Sequence, residues 1–210
     1  MKRSEEIFRK VLDRDKRLIE NTRKRMNPAI FDRACDMISH ARDIYIIGVR
    51  SCAPLAEYLG YYLNQIFDHV TVVRTSSAAE IFEQLLHLKE KDLVIGISFP
   101  RYSLRVLKAL EYANAKNAGI ITMTDSINSP ICLYSSCNLL SDTALSSIVD
   151  SMTAPMSVIN ALVTALCAKN RKALMKNLEE LDMIWHDYPV GTEDEMDPLD
   201  PDIRVKKEEE

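Results

Sequence analysis

Along residues 4–26 the apolar side chains Ile7, Phe8, Val11, Leu12, Leu18, Ile19 and Met26 recur at three- and four-residue intervals among charged neighbours, a spacing that gathers them on one face of an α-helix. Such a face needs something to pack on. Asn27-Pro28 then supplies an N-cap and a proline suited to a first helical turn, predicting a second helix to about residue 41 with Ile30, Phe31, Ala34, Met37 and Ile38 inward. From Asp43 the pattern changes to short apolar runs at 44–47, 70–73, 93–97, 120–123 and 137–140, and helical patterns at about 53–67, 78–88 and 103–116 separate the first four. Apolar runs of strand length alternating with amphipathic helices imply a parallel sheet covered on both faces. The expected class is therefore α/β: a five-stranded parallel sheet sandwiched by helices, with further helices flanking it at both ends. After the fifth run, 146–166 reads as a long helix apolar on most faces, suited to a core or a subunit interface, and 171–186 as an amphipathic one.

Composition narrows the setting. A chain of 210 residues with 47% hydrophobic residues is long enough to bury roughly 70% of its unfolded surface in one domain with appendages. No run of 18 apolar residues occurs, and the N-terminal MKRSEEIFRK is charged without an apolar core region. Neither a membrane span nor a signal peptide is expected, and the cytoplasm is the expected compartment. Five cysteines, Cys35, Cys52, Cys132, Cys137 and Cys167, are odd in number and lie in apolar or strand-like contexts, so reduced, mostly buried thiols follow. Cys132 and Cys137 flank LYSS with no histidine nearby; no metal site and no cofactor are called for. The net charge of −4 hides a split: residues 189–210 hold nine acidic and three basic residues, a net of −6, which leaves +2 for the rest. Residues 1–25 carry ten basic and five acidic residues, a charge that reads as a solvated helix face, since no base-reading pattern accompanies it.

In open α/β sheets ligands bind beyond the carboxyl ends of the strands, which directs attention to the loops after strands one and three. The first is Gly48-Val49-Arg50-Ser51-Cys52-Ala53-Pro54. There Gly48 permits a tight turn, Ser51 is placed to cap the next helix or donate its hydroxyl, and an anion would meet free backbone N–H groups at a helix start. The third strand leads through Ser98-Phe99-Pro100-Arg101-Tyr102-Ser103 into another helix, the same construction. Serine before a helix is commonly only a cap, so either loop alone carries little.

The segments IYIIGVRSCAPLAEYLGYYLNQI, DLVIGISFPRYSLRVLKALEYANAKNAGIITMTDS and NSPICLYSSCNLLS, taken in that order, resemble the sugar isomerase (SIS) domain of RpiR-type bacterial transcriptional regulators. The resemblance spans about residues 8–188 and implies a fold that binds phosphosugars through loop hydroxyls and amides. It puts the strand-one serine at Ser51 and the Ser-x-Ser-Gly-x-Thr loop on residues 98–103, keeping the outer hydroxyls as Ser98 and Ser103 and replacing the middle Ser-Gly by Pro100-Arg101. Together with Arg50, Arg101 would give the site two guanidiniums, and with them a preference for a ligand bearing a second negative group. The chain then divides into residues 1–42, a linker helix and the first domain helix; 43–188, the phosphosugar-binding SIS domain; and 189–210, a disordered acidic tail. RpiR-type regulators begin with a helix-turn-helix, whereas this sequence starts at the helix that would follow it. It reads as the effector domain of a longer regulator or as a product without a DNA reader, and no direct DNA binding by the chain is expected.

An aldose-ketose isomerase needs a base within reach of the sugar carbons. Enzymes similar to this fold place a glutamate late in the helix after the first loop, where Asn64-Gln65 stand here; Glu57 and Glu80 are the weak catalytic candidates, and none of the four histidines falls in the loops. A sensor of a sugar phosphate is the favoured reading, with a sugar-phosphate isomerase as the alternative. A homodimer is expected from the apolar stripe Ile148, Met152, Met156, Ile159, Leu162, Val163 and Leu166 and from the face of the N-terminal helix.

Overall fold

The computed structural model describes residues 2–75, 77–144 and 149–187; the acidic tail and Ile148 lie outside the described residues. In chain order the elements are α1 (Lys2–Arg25), α2 (Pro28–His40), β1 (Ile44–Gly48), a 3-10 turn Arg50–Cys52, α3 (Ala53–Ile66), β2 (Val70–Val72), α4 (Ala78–Gln84), β3 (Leu93–Ile97), α5 (Leu104–Ala115), β4 (Gly119–Thr124), a 3-10 turn Pro130–Tyr134, β5 (Cys137–Leu140), α6 (Thr153–Lys169) and α7 (Arg171–Asp187). The five strands form one parallel sheet in the order β2-β1-β3-β4-β5, as the apolar runs implied. Central β3 is buried along its whole length, while short β2 leaves Thr71 exposed at an edge. Among the described residues no helix is long and apolar enough to cross a membrane.

Alternation along the strands divides the interior into two layers. Ile44 and Ile46 face a core shared with Ile38 of α2, Leu59 and Leu63 of α3 and Ile159 and Leu162 of α6. Ile47 and Val94 face the other, built on Ile81 of α4 and Val106 and Leu110 of α5. Burying each such side chain is worth about 1.5–3 kcal/mol, so these two layers dominate the favourable side of folding. Asn27 caps α2 as expected, its side chain accepting from the Ala29 N–H at 2.9 Å.

The structure differs from the sequence expectation at three points. The helix read over 146–166 begins only at Thr153, with Ser151 and Met152 outside it. Pro155 explains this: it has no N–H for the carbonyl of residue 151, and its ring would strike that carbonyl in a helix interior, so it fits only in a first turn. The helix read to residue 88 stops at Gln84, where tight turns tuck Leu85 and Leu88 into the core. The apolar stripe of α6, offered as a dimer surface, is consumed by the chain's own core: Ile159, Leu162 and Leu166 are fully buried and Val163 nearly so. On α1, by contrast, only Leu18 and Thr22 are buried among the described residues, and Ile7, Phe8, Val11 and Leu12 are exposed.

Candidate functional site

From β1 the chain crosses to β2 on one side, and β3 returns on the other side of β1. The loops after β1 and β3 therefore diverge and leave a crevice at the carboxyl edge of the sheet, the place where such folds take ligands. A cavity of about 130 Å3 lies there, lined by Val49, Arg50, Ser51, Cys52, Ser98, Phe99, Pro100, Arg101 and Ser103. All five residues singled out for phosphate contact, Ser51, Ser98, Ser103, Arg50 and Arg101, line it together. Among the described residues no carboxylate and no imidazole lines it.

Each loop positions its serine differently from the simple capping expectation. Ser51 does not cap α3. It sits inside the Arg50–Cys52 turn, which leaves its hydroxyl exposed, and Cys52 holds the cap position without a side-chain bond. In the second loop the buried Ser98 Oγ accepts from the Ser103 N–H at 3.1 Å. The Ser103 hydroxyl makes no cap bond to α5, and the Ser98 proton is left to donate. Arg50 and Arg101 occupy matching places in the two loops and share left-handed backbone, with φ of 58° and 68°. Side chains other than glycine occupy that region at a cost of about 1–2 kcal/mol, and such strain clusters at ligand sites.

The two arginines do not converge on one point as expected. Arg101 is ion-paired with Asp150, on the segment before α6, a partner that sequence reasoning missed because residue 150 was read as helix interior. Arg50 has no ion pair among the described residues. It also lines an adjoining cavity of about 270 Å3 with Gly48, Ala53, Glu57, Val73, Arg74 and Thr75. Glu57 reaches that second space but is held by Arg74, whose Nε donates to both carboxylate oxygens at 2.9 and 3.0 Å. Glu80 accepts from the Thr75 hydroxyl and lines neither cavity. Gln65 stands near the far end of α3, twelve residues beyond Ala53 and so roughly 18 Å along the axis, where its carbonyl accepts from Asn177. A carboxylate at that position could not reach this chain's own cavity, so the identity of residue 65 does not bear on catalysis within it. His69 precedes β2 at the opposite edge of the sheet, and neither His40 nor His87 lines the crevice.

Supporting contacts lie around the site. The half-buried Tyr102 hydroxyl donates to Asp125 at 2.8 Å; burial, and then Asp125, push the phenol above its ordinary value. Burial likewise raises the Cys52 thiol, so it lines the cavity as a neutral group. The end of α1 closes over β4 and β5: Arg25 pairs with Asp142, and the Asp142 N–H donates to buried Thr22 at 2.8 Å.

The SIS domain family model matches residues 37–165. No curated protein is recognisably similar in sequence. Among solved structures, the sugar isomerase domain of an RpiR transcription factor from Sphaerobacter thermophilus superposes with a TM-score of 0.79 at 24% identity, over 83% of this chain and 97% of that one. NanR of Vibrio vulnificus, complexed with ManNAc-6P, gives 0.74 at 15% identity over 86% of this chain and 69% of that one. A Methanococcus jannaschii protein inferred to be a 3-hexulose-6-phosphate isomerase gives 0.59 at 20% identity over 83% and 96%. The fold is thus shared by a transcription factor and by a protein inferred to be an isomerase.

Proposed function

The chain belongs to the SIS domain family, and we propose that within it this protein is the phosphosugar-binding effector domain of a transcriptional regulator of carbohydrate metabolism. The observation that carries this reading is the cavity at the divergence of the β1 and β3 loops, which gathers three serines and two arginines and, among the described residues, no carboxylate or imidazole. Hydroxyls and guanidiniums bind a phosphate, but they do not move a proton between sugar carbons near neutral pH.

In this reading Ser51, Ser98 and Ser103 hold the phosphate with Arg50. The first cavity is small beside ligand pockets of roughly 300–1,000 Å3, and the sugar extends toward the adjoining one across Arg50. A guanidinium between the two spaces favours a ligand with a second negative group, a sugar-acid phosphate or a bisphosphate. The complex of NanR with ManNAc-6P supports the ligand class. Residues 43–188 form the binding unit, and the exposed face of α1, together with the apolar groove of Ile19, Met26, Phe31, Val158 and Ala161, serves a homodimer. The chain makes no sequence-specific DNA contact of its own and works in the cytoplasm. An isomerase is the second reading, because Glu57 lines the adjoining cavity.

Calorimetric titration with ManNAc-6P, glucose 6-phosphate, 6-phosphogluconate and fructose 1,6-bisphosphate, with NMR of the same samples, separates the readings. Binding without turnover is expected. Turnover abolished by Glu57→Gln would replace this reading with the isomerase, and no binding across the panel would contradict both.

A further inference from the structure

Asp150 lies 49 residues along the chain from Arg101, on a segment that the crevice loops do not include, yet the two are paired. Its side chain is only 8% exposed. One carboxylate oxygen takes the guanidinium; the other, Oδ1, is buried without a hydrogen-bond partner among the described residues. Asp150 is thus the anion that occupies Arg101 of the crevice.

The residues that follow Asp150 hold α1. Ser151, 7% exposed, donates to Asp15 Oδ1 at 2.7 Å, and the Thr153 hydroxyl donates to Asp15 Oδ2 at 3.0 Å. Ser151 Oγ also accepts from the Thr153 N–H at 3.4 Å at the start of α6. A single short stretch ahead of the Pro155 turn therefore grips the crevice arginine on one side and the middle of α1 on the other. Asp150 and Ser151 are consecutive, so neither can shift far without moving the other.

We propose that Asp150 is a positioning residue that acts as the cavity's own anion: an anionic ligand takes Arg101 from it, and the release loosens the grip of Ser151 and Thr153 on α1. This rests on the reading of the cavity as a phosphate site. A phosphate carries more charge than a carboxylate and accepts bidentately from a guanidinium, so it competes for Arg101 at close range. A ligand shifts an equilibrium only by its differential affinity for the two states, and here the difference is the freed guanidinium. Linkage makes the coupling reciprocal: whatever loosens α1 must tighten the ligand.

The test uses the 210-residue chain, with inorganic phosphate and ManNAc-6P as probes. Asp150→Asn keeps the shape and removes the competing charge; it binds the probe about three- to tenfold tighter, the gain expected when Arg101 is free in only about a third to a tenth of ligand-free wild-type sites. Asp15→Ala, away from the cavity, tightens the probe in the same direction. Without ligand, Asp150→Asn raises amide exchange around Asp15 on α1, and in wild type saturating probe does the same. Damage to the fold would weaken the ligand instead. Unchanged or weaker binding in Asp150→Asn overturns the proposal, and so does α1 exchange identical to wild type in the ligand-free variant. If neither probe nor the wider panel binds wild type, the phosphosugar reading fails; the ligand-free exchange comparison still decides the coupling between Asp150 and α1.

Discussion

Gly48 closes β1 where the chain turns into the candidate site. A Cβ placed on it would stand 2.6 Å from the Cys52 carbonyl oxygen, 3.1 Å from the carbonyl carbon and 3.2 Å from Ala56 Cβ. The closest atoms are backbone, so no side-chain rotation relieves the clash. Reaching even 3.0 Å requires the carbonyl to withdraw by 0.4 Å, and the carbonyl belongs to the Arg50–Cys52 turn that carries Ser51. Overpacking of this kind costs about 1–3 kcal/mol, and each kcal/mol lowers the melting temperature of a chain this size by about 2–4 °C. Gly48→Ala should therefore lose stability in urea denaturation and bind sugar phosphate at least about tenfold more weakly, since sub-ångström displacement of positioned groups is costly. Gly119→Ala is the control. Its Cβ would meet the tip of Leu93 at 3.2 Å at the other end of the sheet, a contact a side chain can yield, and it should keep affinity with a loss under about 1 kcal/mol. A Gly48→Ala chain as stable as wild type, with unchanged affinity, would refute the assignment of this turn to the site.

Burial raises the thiols of Cys35, Cys52, Cys132 and Cys137, so a thiol reagent at about pH 8 should modify them only on unfolding; fast labelling of Cys52 in the native chain would contradict its place in the cavity wall. Arg23, through its hydrogen bond, holds Glu20 down to about 2, and Lys169 lowers Asp36. Stability from these depressed carboxylates is present above their unfolded values and is lost as pH falls through the folded ones. Urea midpoints should therefore drop between about pH 5 and pH 2, less steeply in Lys169→Met; an unchanged slope in that variant would show that the pair contributes nothing. The exposed α1 residues Phe8 and Leu12 should support a dimer, so Phe8→Glu/Leu12→Glu should sediment as a monomer of about half the wild-type mass, and a monomeric wild type would remove the dimer from the account.

Much of the architecture was legible because each strand is a short, mainly apolar run, with Thr71, Thr122 and Asn138 as polar interruptions, and the helices keep a three- and four-residue stripe; local pattern fixes such elements. The crevice loops followed from strand order, since 48–54 and 98–103 are the segments that must diverge. What was not legible depends on partners distant in sequence. Glu57 is held by Arg74, 17 residues away, and Arg101 by Asp150 across 49. Neither pairing leaves a periodic trace. Pro155 was a local signal, and it marks the start of α6 once its missing N–H is weighed against the run of apolar residues around it. Ser51 shows the limit of capping rules: a 3-10 turn intervenes before α3, and the hydroxyl is released from the backbone.

A crevice that binds a phosphorylated sugar through hydroxyls on two loops must lose affinity in Ser51→Ala and in Ser103→Ala, read by calorimetric titration beside wild type. Each lost hydrogen bond to a charged group should cost about 1.5–3 kcal/mol, a weakening of roughly ten- to hundredfold, with urea midpoints unchanged because neither hydroxyl caps its helix. Affinity equal to wild type in both variants would place the ligand elsewhere and contradict the account.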